Sequence, residues 1–137
     1  MKTEHNVDTA WRIFITITLS SLFLLGSLTS CQSPEDSSLI AIVLGGKLAF
    51  HSNETLGQAV DSFFENPRWS VQRTEDGGEY VTVEGGLTFS GKPVKGALQF
   101  TVTRKNGTFK ARSLELNGIP QNETMIVALM QKMYEQN

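Results

Sequence analysis

A regular alternation of apolar and polar residues constrains the fold of this chain more than any other feature. Between Val81 and Val102, an apolar side chain or a glycine stands at every second position on both sides of the turn "SGKP". Successive strand residues point to opposite faces, so this period places the apolar set on one face of a hairpin. Trp69 and Val71, upstream of a turn at residues 76–78, show the same spacing. The sequence therefore predicts an antiparallel sheet with one buried and one wet face.

The dipeptide Asn106-Gly107 predicts a further hairpin, because both residues tolerate the backbone of a tight turn. A two-residue loop at this point would leave Leu114 on the wet face of the next strand, since register fixes which face a side chain occupies. We therefore predict a one-residue bulge near residues 112–113. This bulge would return Leu114 to the buried face, opposite Phe100.

Two other segments have the 3.6-residue period of amphipathic helices. Residues 53–67 carry apolar side chains on one face, behind a capping-box pair at Thr55 and Gln58. Residues 122–136 predict a second helix, while the apolar run at residues 39–50 predicts a strand. Together these segments predict an α+β fold, in which two helices pack on one face of an antiparallel meander of four to five strands.

Charge and cysteine content exclude several classes of protein. The formal net charge is −2, and no more than two basic residues occur in a row. Such scattered basic residues do not form the positively charged patch that binds the phosphate backbone of a nucleic acid, so we predict no nucleic-acid partner. The chain has one cysteine and cannot form an intrachain disulfide, so a hydrophobic core must stabilise the fold.

The residues after the first thirty contain little that could support catalysis. His51 is their only histidine, whereas a hydrolytic triad needs a base beside a nucleophile and a zinc site needs three or four ligands. Glu75 and Asp76 lie in a predicted turn, where acidic residues favour the backbone geometry. We therefore predict a protein that is not an enzyme, with no catalytic residue, metal or cofactor.

Residues 1–30 have the order of a secretory signal peptide. Lys2 and Arg12 lie near the start, an apolar run of sixteen residues spans Ile13 to Leu28, and small residues follow. The run is shorter than the roughly 20 residues that cross a bilayer, so a transmembrane anchor is the weaker alternative. The segment ends at the single cysteine, Cys31.

The sequence Leu28-Thr29-Ser30-Cys31 resembles the lipobox of bacterial lipoproteins. The resemblance implies that the Cys31 thiol receives a diacylglyceryl group and that a signal peptidase cuts just before this residue. An ordinary signal peptide followed by a chance cysteine is the alternative. Gln32, where some lipoproteins carry aspartate, implies the periplasmic side of an outer membrane if the source has one. Two acyl chains would hold the protein on the membrane, since one alone binds only marginally.

These expectations divide the chain into a signal peptide at residues 1–30, a lipidated cysteine with a flexible polar tether at residues 31–38, and one α+β domain at residues 39–137. The run "FFENPRW…GKPVKGALQFTV" resembles small exported α+β domains to which no function is assigned. Such a likeness implies no activity.

Aromatic side chains give the remaining hypothesis about a binding site. Trp69 and Tyr80 bracket a predicted hairpin, and an exposed aromatic patch is typical of a protein-binding surface. We therefore predict a bacterial envelope lipoprotein, held on the membrane through lipid on Cys31, whose domain binds an unidentified protein in an accessory role. The alternative is an exported inhibitor or exclusion factor that blocks an enzyme or receptor, and an enzyme of unknown class ranks third.

Overall fold

The computed structural model describes residues 32–49 and 53–135. The predicted signal peptide, the lipobox residues Leu28, Thr29 and Ser30, the acceptor Cys31, and His51 lie outside the described residues. In chain order the elements are α1 (Pro34–Leu44), α2 (Leu56–Phe63), β1 (Glu65–Arg73), β2 (Glu79–Phe89), β3 (Lys92–Thr103), β4 (Thr108–Leu116), β5 (Ile119–Pro120) and α3 (Glu123–Glu135).

The sheet is an antiparallel meander, in which each of the five strands pairs with the next one in the chain. Val83 lies opposite Trp69 on β1 and Leu98 on β3, so the apolar residues of three strands share one face. Thr82, on the other face, is nevertheless only 6% exposed, because it lies in the centre of the sheet beside Gln99. The α+β class and the meander predicted from the alternation are confirmed.

The predicted bulge is present in β4, but the hairpin before it has a longer loop than expected. Thr103 pairs with Thr108, so four residues form the loop, and the Asn106 side chain accepts hydrogen bonds from the Thr108 backbone and hydroxyl. The register then shifts by one residue at Arg112. Leu114 consequently lies on the buried face as predicted, although it faces Leu98 and not Phe100.

The prediction of a strand at residues 39–50 is wrong, because residues 34–44 form the helix α1. Ser33 caps this helix by accepting a hydrogen bond from the backbone of Asp36, and Pro34 occupies the first turn, where its missing N–H costs nothing. Two acidic residues in the first turn also suit the positive end of the helix dipole. Residues 34–38 are therefore helical, which corrects the expectation of a flexible tether at residues 31–38.

The helix predicted at residues 53–67 is shorter than expected. The capping box of Thr55 and Gln58 is present, but α2 ends at Phe63 and β1 begins at Glu65. Phe64 lies between the two elements and is 4% exposed. A methyl group on Gly85 or Gly96 would stand 3.1–3.2 Å from the ring of Phe64. These glycines therefore leave space on the sheet for the aromatic side chain that links α2 to β1.

One hydrophobic cluster contains buried side chains of the helices and of the sheet. Leu39 and Val43 of α1 and Leu56 and Val60 of α2 are completely buried in it, as are Val81, Val83, Leu98 and Phe100 of the sheet. The helix predicted at residues 122–136 is confirmed as α3. In its first turn, the backbone N–H of Met125 donates a hydrogen bond to the side-chain oxygen of Asn122. Its buried residues include Ile126, Leu129, Met130 and Met133.

Candidate functional site

The structure places the two aromatic residues predicted to bind a partner on opposite faces of the sheet. Trp69 faces Val83 and packs, partly buried, against the hydrophobic core. Tyr80 faces Gln72 on β1 and Thr101 on β3, which puts it on the polar face. Trp69 and Tyr80 therefore do not form a single patch.

Tyr80 instead has a cationic neighbour from β4. The guanidinium carbon of Arg112 lies 4.1 Å from the centroid of the Tyr80 ring, which is the geometry of a cation–π contact. Arg112 is the residue at which the register of β4 shifts. It follows Ala111, which faces Phe100, so ordinary alternation already places its side chain on the polar face. The sequence predicted the bulge but not this contact, because the strand β3 separates the two partners.

A groove lies between β4 and α3. Its volume is 740 Å³. Its wall is mostly apolar, and six of its apolar residues come from three separate parts of the chain: Leu48, Phe109, Ala111, Leu114, Ile126 and Met130. Val127, which also lines it, is 51% exposed. Such a groove can take an apolar side chain or a short segment of a partner protein.

Charged residues stand around this groove in two groups. Lys110 and Arg112 come from the first half of β4, whereas Glu115 and Glu123 stand at the other end. The two ends of the groove therefore carry opposite charge, and this separation of charge would orient a charged partner.

The two edges of the sheet are both modified in ways that discourage pairing with another strand. On β4, the bulge at Arg112 and the charge of Lys110 interrupt the edge, while β5 pairs with Glu115 and Leu116. On β1, the register is irregular between Glu65 and Arg68. Bulges, prolines and edge lysines are common protections against aggregation. Contact with a partner through the groove is therefore more compatible with this sheet than addition of a strand.

An ion-pair network joins α1 to the ends of three strands. Arg73 on β1 lies 2.5 Å from Asp36 of α1 and 3.6 Å from Glu79 on β2. Glu79 in turn accepts two hydrogen bonds from the guanidinium of Arg104, at 2.7 and 2.9 Å. The hydrogen bond from Arg73 lowers the pKa of Asp36, and that from Arg104 lowers the pKa of Glu79. Because every member has an oppositely charged partner, the network has a structural role and is not suited to proton transfer.

Within residues 32–49 and 53–135, no group of three histidine, cysteine, aspartate or glutamate side chains is arranged to hold a metal ion. No helix in these ranges combines the length and the apolar character needed to cross a membrane.

Comparison of the chain with protein-family models, with curated proteins and with solved structures finds no match.

Proposed function

We propose that this protein is a bacterial envelope lipoprotein, anchored to the membrane by lipid on Cys31, whose folded part is a non-enzymatic binding or accessory domain. The observation that carries the proposal is the lipobox-like sequence Leu28-Thr29-Ser30-Cys31 at the end of an apolar segment with the length of a signal peptide. The chain contains no other cysteine, so this thiol has no disulfide partner within the protein. The proposed location is the periplasmic side of an outer membrane, if the source has one.

The groove between β4 and α3 supports the binding role. It combines an apolar wall, oppositely charged ends and the exposed side chain of Val127, which is the composition of a small protein-binding site. The contact of Tyr80 with Arg112 lies on the polar face of the same part of the sheet. We propose that a protein partner places an apolar side chain in the groove.

The anchor is tested by the mass of the N-terminal peptide of the protein purified from bacterial membranes. We expect a peptide that begins at Cys31 and carries acyl chains. A peptide that begins at Cys31 with a free thiol, or one that still contains residue 1, would rule out the lipoprotein.

The binding role is tested by crosslinking in membranes with two matched variants. Val127→Lys introduces a charge at the groove, whereas Gln131→Lys introduces the same charge at an exposed position of α3 that does not line it. We expect Val127→Lys to abolish a stoichiometric complex that Gln131→Lys retains. A complex with envelope-assembly proteins would support the accessory role, whereas a partner that loses its activity would support an inhibitor. Equal recovery with both variants would exclude the groove.

A further inference from the structure

We propose that the β1 edge of the folded domain faces the lipid bilayer directly, with no flexible tether between the lipid anchor and the domain. The surface consists of Gln32 and Pro34 together with Arg68 and Trp69 of β1. The inference rests on the proposed lipidation of Cys31, but it adds an orientation that lipidation alone does not specify.

The first described residues of the chain are fixed to β1. The side-chain amide of Gln32 donates a hydrogen bond of 3.1 Å to the backbone carbonyl of Trp69. Four residues later, Asp36 pairs with Arg73, which also lies four residues after Trp69. The segment from Gln32 to Asp36 therefore follows β1, and it is attached at both ends.

This attachment limits how far a lipid on residue 31 can lie from the domain. Consecutive Cα atoms are about 3.8 Å apart across a trans peptide, so one peptide unit separates the acceptor cysteine from a residue that is bonded to β1. A flexible segment of seven residues would instead reach roughly 25 Å when extended. Acyl chains attached to residue 31 must therefore enter the bilayer close to Gln32.

The side chains beside Gln32 suit the interfacial region of a membrane. Trp69 is partly buried, while Arg68 and Pro34 are exposed. Tryptophan is enriched where hydrocarbon meets headgroups, and arginine can reach phosphate oxygens from an apolar surface.

The orientation has a consequence for the groove. Three strand spacings of about 4.8 Å separate β1 from β4, so the groove begins roughly 14 Å further along the sheet. With β1 on the membrane, the edge that carries Lys110 and Arg112 points away from the lipid, where a protein partner can reach it.

Trp69 supplies a natural probe for this orientation. The chain contains two tryptophans, Trp11 and Trp69, and cleavage before Cys31 removes the first. The full chain is expressed in bacteria, the lipidated product is purified, and it is placed in vesicles of phosphatidylethanolamine and phosphatidylglycerol with brominated acyl chains. We expect strong quenching of Trp69 fluorescence relative to vesicles without bromine.

Two variants control for other sources of quenching. Trp69→Phe combined with Lys110→Trp moves the only tryptophan to the opposite edge strand, where we expect little quenching. A glycine–serine spacer of about eight residues between Cys31 and Gln32, with a root-mean-square length of roughly 16 Å, should remove most of the Trp69 quenching.

The outcomes separate this inference from the proposed anchor. If mass spectrometry finds the acylated cysteine but Trp69 is no more quenched than the tryptophan at position 110, the orientation is refuted and the lipoprotein stands. If quenching survives the spacer unchanged, the short linkage does not set the orientation, and the inference is likewise refuted. If no acylation is found, the proposed anchor fails first, independently of the fluorescence.

Discussion

The guanidinium of Arg73 lies 2.5 Å from the carboxylate of Asp36, and this contact joins the last residue of β1 to the first turn of α1. A segment whose composition is that of a flexible linker is thereby part of the folded domain. Ser33 caps the helix before this segment, and Leu39 is completely buried after it. Both interactions keep the segment in place. The domain consequently begins at least as early as Gln32.

The first prediction concerns the packing of α1. Leu39→Ala should lower the free energy of unfolding by about 2–5 kcal/mol, because it removes a fully buried side chain and leaves a cavity. Ser38→Ala, at an exposed position of the same helix, should change it by less than about 0.5 kcal/mol. Urea unfolding of both variants measures the difference. Equal midpoints would show that α1 does not pack on the sheet.

The second prediction concerns the bulge in β4. Deletion of Arg112 should leave the fold intact, because Ala111 would still face Phe100 and Leu114 would still face Leu98 in a continuous ladder. The contact with Tyr80 would be lost. Deletion of Thr82 from the interior strand β2 should prevent folding. Loss of one residue would move the side chains on one side of the deletion to the opposite face of the sheet. Circular dichroism and amide exchange distinguish the two, and an unfolded Arg112 deletion would contradict the assigned register.

The third prediction is a loss of stability in acid. Hydrogen bonds from Arg73 and Arg104 hold the pKa values of Asp36 and Glu79 below their ordinary values of 3.8 and 4.5. The unfolded chain therefore takes up protons first as the pH falls, so the stabilisation is complete above these ordinary values and is lost progressively below them. Glu79→Gln should flatten this decline, whereas Glu115→Gln, at an exposed position, should not. Thermal melting over an acid pH series provides the measurement, and identical profiles would argue against the network.

The fourth prediction is a loss of stability in alkali. Burial raises the pKa of Tyr134 to about 12 from an ordinary value of 10.0, and the carboxylate of Glu54 adds to the effect. Between these values the unfolded chain has lost a proton that the folded chain retains, so stability falls as the pH rises. The slope should approach roughly 1.4 kcal/mol for each pH unit. Tyr134→Phe should remove this slope in urea titrations between pH 10 and 12. A slope that persists in the variant would assign the effect to another group.

The candidate site was predictable only in part. The alternation indicated that Tyr80 belongs to the polar face, and the register of a hairpin at Asn106-Gly107 indicated that a bulge is needed to bury Leu114. The contact between these two residues depends on the register across β2, β3 and β4, which sequence periodicity did not fix to the residue. The groove was missed altogether, because its lining comes from residues 48, 101, 109–115 and 120–130, and no local pattern connects them.

The sequence by itself determined the strands of the meander. Apolar residues at every second position lie on one face of a strand, and no other regular structure places them on one face. It also determined the start of α2, where the capping box is a local interaction. Only the tertiary structure decided the state of residues 34–44. Their apolar part is nearly continuous and so has no period that separates a strand from a buried helix. The cap at Ser33, the pairing of Asp36 with Arg73 and the burial of Leu39 and Val43 favour the helix, and two of these three depend on residues far away in the chain.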